Sequence, residues 1–322
     1  MSKPGRTYTP VDLSRVKRCH IDRRANKTEI ASFGRPMQST AGAKAFLASL
    51  PDFLRATDLR LFIEAVISAR KSGKPFHLLL GAHTIKVGLS PVLIDLMDSG
   101  LVTGMSFNGA GLIHDLELAF FGGTSEDVQK GLTDGSFGMV KETAELFGAV
   151  TEYASAKHVG LGKACGAYIN SRKAKHRRYS VFAACDRLNL PITVHVGIGT
   201  DIVSQHPEFD AARVAAASHL DFRILAAICA DIDSGGVVAN IGSAVILPEV
   251  FLKALTVARN LKKTKSRLTT ANFDMIEHYR PRVNVVSRPT LGAGRGFSFV
   301  GHHEIMVPLL AWGLKAKAAG LR

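Results

Sequence analysis

Two strand–loop–helix units in direct succession, packed into residues 76–119, constrain this chain more than any other feature. The apolar run Phe76–Leu80 stops at Gly81, and Ser90-Pro91 then opens an apolar-periodic helix. Serine is a good N-cap, and proline at the first helical position gives up an N–H that has no intrahelical partner anyway. A second run, Leu101–Phe107, stops at Asn108-Gly109-Ala110-Gly111. Another helical pattern follows, with His114, Asp115 and Glu117 in its first turns. Strands joined through helices in this way lie parallel, and an open parallel sheet holds ligands at the carboxyl ends of its strands.

Gly109 and Gly111 permit positive φ and close backbone approach. A helix starting there would aim free N–H groups and a positive dipole end at an anion such as a dinucleotide pyrophosphate. The segment lacks the full G-x-G-x-x-G spacing, so it fits a plain tight turn between strand and helix as well.

Alternation continues along the chain. Residues 1–36 form a basic arm, extended or partly helical, ahead of one α/β domain over residues 37–322. Residues 42–72 read as helical, with Leu47, Leu50, Phe53, Leu54, Leu59, Phe62 and Val66 as core candidates. Short helices are expected at Thr124–Leu132, capped by Thr124 or Ser125, and at Lys141–Tyr153. Residues 158–179, rich in Gly, Lys and Arg, read as a surface connection. Helix Val181–Leu188, strand Pro191–Val196 and loop Gly197–Asp201 follow. Then come one or two helices in Ala211–Ile232, strand Gly236–Ile241, helix Leu247–Asn260, strand Arg267–Ala271 and closing helix Ile305–Lys317. This order argues an α/β fold with a mostly parallel sheet and helices on both faces.

No stretch approaches the length of uninterrupted apolar sequence needed to span a bilayer. The N-terminus is basic and polar with no apolar segment behind it, unlike a secretory signal. The four cysteines, Cys19, Cys165, Cys185 and Cys229, are scattered with no C-x-x-C. They read as reduced thiols in a cytoplasmic protein, without disulfide or structural zinc. The formal net charge of +14 is clustered in Met1–Arg24 (Arg15, Lys17, Arg18, Arg23, Arg24), in Ser171–Tyr179, and in Lys262, Lys263, Lys265 and Arg267. No aromatic residues are interleaved to stack on bases, so nucleic acid is not the expected partner.

The loops after successive strands collect the candidate site. They hold Gly81-Ala82-His83-Thr84, Asn108–Gly111, Gly197–Asp201, Gly242-Ser243 and Thr269–Asp274. Together they predict a cleft with glycine approaches and carboxylates at Asp115, Asp201 and Asp274.

The chain here resembles the deoxyhypusine synthase family. The stretch Gly81–Leu118 is similar to the family's first nucleotide-binding stretch, with Phe107–Gly111 at its Thr-Thr-Ala-Gly-Gly and His114-Asp115 at its acidic pair. Leu190-Pro191-Ile192 and Thr200-Asp201 match an Ile-Pro-Val strand and a Gly-Asp. Gly236–Ile241 is similar to an Ile-Leu-Gly-Gly-Gly stretch, Thr269–Asp274 to Asn-Thr-Ala-Gln-Glu-Phe-Asp, and Val307–Leu310 to Phe-Pro-Leu-Leu. The resemblance implies a Rossmann-like sheet that binds NAD, cytoplasmic homotetramers with shared active sites, and oxidation of spermidine. An aminobutyl group then passes to a protein lysine through an imine on an enzyme lysine. Cofactor contacts are implied at Gly81, His83, Asn108, Gly109, Gly111, Thr270, Ala271, Asp274 and His303. His114, Asp115, His195, Asp201 and His302 are implied in catalysis, with His114, His195 or His302 moving protons and some of Asp115, Asp201, Asp274 and Glu304 holding an amine.

One departure is clear. The family's catalytic lysine falls in the stretch Val286–Thr290, and no lysine lies between Lys265 and Lys315. Arginine stays protonated and forms no imine. The aminoalkyl transfer expected of this chain therefore goes through different chemistry, such as direct transfer to a free amine, with Lys86 as a substitute nucleophile. Two other readings stand beside it. His83, His114, His195, His302 and His303 could bind a divalent metal in a hydrolase or lyase, although no H-x-x-x-H pair is present. Alternatively, the fold could serve a non-catalytic nucleotide-binding regulator.

Overall fold

The computed structural model describes residues 10, 13–18, 20, 23, 30–37, 40–262 and 267–319. Cys19, Arg24 and the cluster residues Lys263 and Lys265 lie outside them. Six strands, β1 (Phe76–Leu80), β2 (Gly104–Asn108), β3 (Ile192–His195), β4 (Val237–Ile241), β5 (Thr269–Asp274) and β6 (Arg295–Val300), form one sheet in the order β3-β2-β1-β4-β5-β6. Every pairing is parallel. The expected parallel α/β class is what the chain adopts.

The helices are α1 (Ala43–Ser49), α2 (Leu54–Lys71), α3 (His83–Lys86), α4 (Ser90–Asp98), α5 (Gly109–Phe121), α6 (Val128–Asp134), α7 (Lys141–Lys157), α8 (Leu161–Ser171), α9 (Val181–Arg187), α10 (Ala211–Ile232), α11 (Ile246–Lys262), the single turn α12 (Tyr279–Pro281) and α13 (His303–Ala318). Local chemistry sets many of these ends. Pro91 sits in the first turn of α4, Asn108 caps α5 by accepting from Gly111 N, and Gly122 ends α5 in the left-handed region at φ 78°. Only glycine adopts that conformation without a steric penalty on Cβ. Among the described residues no helix is long and apolar enough to cross a membrane.

Several expectations are corrected. Residues 42–72 are two helices, because Leu50-Pro51-Asp52-Phe53 breaks them. The segment read as a surface connection at 158–179 contains α8, whose Leu161, Ala164, Cys165 and Ile169 are fully buried. Strand β5 runs on to Asp274, so Thr270 and Ala271 lie inside the sheet and not in a loop. Strand β6 was not expected, since the glycine-rich approach Leu291–Gly296 reads as loop.

The two faces of the sheet differ in kind. One carries Phe76, Leu78, Leu80, Met105, Phe107, Val194, Ala239, Ile241, Phe273, Phe297 and Phe299, all buried in the larger core. Phe62 of α2 contacts the rings of Phe76, Phe273, Phe297 and Phe299. The opposite face, under α10, α11 and the π-helical turn Arg282–Ser287, carries His77, Ser106, Thr193, His195, Asn240, Thr270, Asn272 and Ser298, also buried. Parallel strands covered on both sides are normally apolar on both. A buried polar face must therefore be hydrogen-bonded within itself or to a ligand.

Candidate functional site

Strand order reverses between β1 and β4, so the crevice outside their carboxyl ends is the topological switch point where open α/β sheets bind ligands. The β1 and β4 loops touch there. Gly81 N donates to Ile241 O at 2.9 Å, and a Cβ on Gly81 would lie 2.0 Å from Gly242 O. Gly242 sits at φ +67°, and a Cβ on it would lie 2.9 Å from His303 Cε1. Glycine is required at both positions by close approach, and at the second by backbone conformation as well.

His303, in the first turn of α13, fills the space beside Gly242. It is 1% exposed, yet neither ring nitrogen has a hydrogen-bond partner. Its Nε2 stands 3.8 Å from Asp274 Oδ1, beyond hydrogen-bonding distance. The His83 ring lies 5.6 Å away at an interplanar angle of 64°. Burial pushes the pKa of His303 down, opposed by the Asp274 carboxylate, reinforced by His83, and opposed again by the Phe273 backbone carbonyl, which nears the ring without meeting hydrogen-bond geometry. The ring is therefore neutral near pH 7, one nitrogen donating and one accepting. His302 caps the helix and faces outward, its Nδ1 3.8 Å from Glu304 Oε1. Of the expected site residues, the structure brings together Gly81, His83, Asp274 and His303.

The N-terminus of α5, read from sequence as an anion seat, already holds an anion from the chain itself. A Cβ on Gly109 would lie 2.1 Å from Asp201 Oδ2, and the same oxygen accepts from Gly197 N at 3.2 Å. Burial raises Asp201 to about 6, opposed by hydrogen bonds from Gly197 and Ala110. Gly111 packs on the Phe107 ring, where a Cβ would come within 2.5 Å of Cδ1. Both glycines are thus explained by contacts inside the chain, and a phosphate entering here would have to displace Asp201.

Asp115 is corrected as a substrate-holding group. It is fully buried, and its carboxylate accepts from Ser180 Oγ, from Val181 N at 2.8 Å and from Phe182 N at 3.4 Å, at the N-terminus of α9. Burial lifts its pKa to about 7 against those bonds. Asp221, which sequence reasoning missed, does the same for α8. Its Oδ2 accepts from Gly162 N at 2.9 Å and Val194 N at 2.8 Å, and burial raises it to about 7. A Cβ on Gly160 would lie 1.7 Å from Asp221 Oδ1. The signal in the sequence was weak: one aspartate in the middle of an otherwise apolar-periodic helix.

The remaining histidines sit elsewhere. His114 Nδ1 lies 2.6 Å from Thr124 Oγ1, which also contacts Glu117, on α5. His195 ends β3 on the polar face, with Nε2 3.0 Å from Thr193 Oγ1. Burial holds His195 down to about 4. Thr270 and Ala271 are fully buried within β5, away from the carboxyl edge, and so are corrected as cofactor contacts. Lys86 is exposed at the end of α3. The stretch Val286–Thr290 leads into the amino end of β6, on the sheet edge opposite His303. Among the described residues no group of three or more metal-ligating side chains comes together.

No family model matches the chain, and the search of curated proteins found no match. Solved structures are similar in fold. A conserved putative LOR/SDH protein from Methanococcus maripaludis S2 superposes with a TM-score of 0.53 at 14% identity, covering 91% of this chain and 74% of that one. AgrE, solved in a ternary complex with ornithine and NAD+, gives 0.51 at 14% identity, covering 82% of this chain and 33% of AgrE. A putative deoxyhypusine synthase from Entamoeba histolytica gives 0.48 at 10% identity, covering 88% and 96%. This chain spans about a third of the length of AgrE. At these identities the likeness is one of architecture: a six-stranded, all-parallel, Rossmann-like sheet flanked by helices.

Proposed function

We propose that this chain binds NAD in the crevice between the β1 and β4 loops and uses it to act on an amine-bearing substrate. The observation that carries the reading is His303. A buried imidazole with two unpartnered nitrogens costs stability unless a ligand supplies the partners. As a neutral ring it offers one N–H and one lone pair, which match the hydroxyls and carboxamide of a nicotinamide dinucleotide. Gly81 and Gly242 let the β1 and β4 loops meet and seat His303 against them. NAD, when bound, supplies a hydride acceptor.

The strand order supports the same reading, since it is the order of dinucleotide-binding sheets. So does AgrE, a neighbour in fold whose solved complex holds NAD+ together with ornithine. For an amine substrate the carboxylate at the crevice is Asp274, whose Oδ1 accepts from Met275 N at 2.8 Å. The finer proposal follows the family resemblance: aminoalkyl transfer from a polyamine such as spermidine to an amine acceptor, without an imine on an enzyme lysine. A homotetramer goes with that proposal, and light scattering tests it.

The test is calorimetric titration with NAD, followed by addition of spermidine while NADH absorbance is read. The reading expects NAD binding that falls at least about tenfold in His303→Ala, the loss of one good hydrogen bond. His302→Ala, altered at an exposed ring, should bind as the parent does. Absence of NAD binding by the parent protein refutes the cofactor, and binding without spermidine-dependent reduction refutes the polyamine.

A further inference from the structure

Four side chains on the polar face form one continuous hydrogen-bonded row across three strands. His77 Nε2 lies 2.8 Å from Ser106 Oγ, Ser106 Oγ 2.6 Å from Thr193 Oγ1, and Thr193 Oγ1 3.0 Å from His195 Nε2. The parallel register sets Ser106 directly beside Thr193. All four are buried.

Counting protons decides how this row is polarised. Three hydrogen bonds need three protons. The two hydroxyls supply two, and among the described residues neither hydroxyl has another partner to which its proton could turn. One histidine Nε2 must therefore donate and the other must accept. The two rings are locked into opposite tautomers.

The far end of the row selects which. His77 Nδ1 is buried without a partner, in space that a Cβ on Gly104 would share at 2.8 Å. A buried N–H with no acceptor costs more than an unfilled lone pair. His77 therefore keeps Nδ1 bare and carries its proton on Nε2. The donation then runs His77 to Ser106, Ser106 to Thr193, and Thr193 to His195 Nε2. His195, accepting at Nε2, carries its proton on Nδ1, which makes no hydrogen bond among the described residues.

That nitrogen belongs to the ring at the edge of a groove of about 410 Å³ between α10 and α11, lined by His195, Val196, Phe222, Val245, Ile246 and Val250. We infer that this groove is a small-molecule site in which the His195 Nδ1–H, set by the Ser106–Thr193–His77 row, donates to a carbonyl oxygen on an otherwise apolar ligand. The walls suit such a body, and the volume suits a small organic molecule. Glu249, which also lines the groove, is already paired with Lys253 and Arg280 and is not free to hold the ligand. Ser218, also at the groove, is occupied by the Val194 and Val196 backbone and does not compete for the ligand. The site lies on the α10/α11 side of the sheet, and the inference does not rest on the dinucleotide reading.

The row is tested directly by long-range proton–nitrogen NMR correlation on full-length protein labelled with ¹⁵N-histidine. The expected result at neutral pH is a neutral His195 protonated on Nδ1 and a neutral His77 protonated on Nε2. His195 protonated on Nε2 overturns the inference. Ligand choice is tested by titrating acetophenone and, as the isosteric control without an acceptor, ethylbenzene. Acetophenone should bind at least about tenfold more tightly and shift the His195 resonances. That advantage should shrink in Thr193→Val, which cuts the row, while urea denaturation confirms that the variant folds. Equal affinity of the two probes, binding of neither, or an advantage unchanged in Thr193→Val each overturns the donor site.

Discussion

Replacing Asp221 by alanine should destabilise the protein by about 2–6 kcal/mol, because it leaves two buried backbone N–H groups, those of Gly162 and Val194, without an acceptor at roughly 1–3 kcal/mol each. Both bonds end on the same oxygen, Oδ2, so asparagine can keep them through its single carbonyl oxygen. Asp221→Asn should therefore cost much less than Asp221→Ala. The pair also separates the acceptor from the charge. Burial raises the folded pKa from 3.8 to about 7, so between those pH values the native state holds a proton that the unfolded chain has released. Unfolding free energy then falls as pH rises through that window, by up to about 1.4 kcal/mol per pH unit for one such group, and levels off above it. Asp115 acts in the same window and is untouched by the substitution. The difference in slope between parent and Asp221→Asn thus isolates Asp221. Urea denaturation at pH 5 and pH 8, with m-values compared, reads all of this. A cost below about 1 kcal/mol for Asp221→Ala, or identical pH dependence in parent and Asp221→Asn, would refute the reasoning.

Asp115→Ala should lower stability by a similar several kcal/mol, since Val181 N and Phe182 N lose their acceptor in the core, and thermal unfolding checks it. Gly81→Ala should destabilise the ligand-free protein by at least about 1–3 kcal/mol, because the new methyl meets rigid backbone at Gly242 and not a flexible side chain. A melting temperature equal to the parent's would contradict the loop contact. Gly109→Ala should also lower the ligand-free melting temperature, since its methyl meets the Asp201 carboxylate. Asp201→Gly in the same chain should recover part of that loss, and no recovery would separate the two residues.

Local signals carried much of the fold. Ser90-Pro91, Asn108 with Gly111, and Gly122 mark helix ends through contacts within a few residues, so the starts of α4 and α5 are legible without any tertiary knowledge. The apolar runs at Phe76–Leu80 and Gly236–Ile241 are legible as buried strands for the same reason. Strand β6 was not, because its glycine-rich approach reads as loop and only pairing with β5 gives it a partner. Helix α8 was hidden by the charged residues that follow it, although its own apolar positions are buried.

The candidate site divides in the same way. The loops that carry Gly81, His83 and Asp274 could be named from the strands that precede them, whereas His303 follows β6, which was not legible, and was implied only by the family resemblance. Which loops meet could not, since that depends on the order β3-β2-β1-β4-β5-β6 and on β1 and β4 lying side by side. The aspartates show the limit most clearly. Asp115, Asp201 and Asp221 look alike in sequence, as acids near helices. Each docks on the N-terminus of a helix other than its own neighbours in the chain would suggest, 66 residues away for the Asp115–Val181 contact and 59 for Asp221–Gly162. By itself the sequence determined the parallel α/β class and the kinds of residue at the strand ends, because periodicity and caps act over a few residues. Only the tertiary structure decided that the α5 anion seat is filled from within, that Asp115 faces the core and that His303 is left unpartnered. Those outcomes turn on which distant groups exclude water from one another, and that is a property of packing.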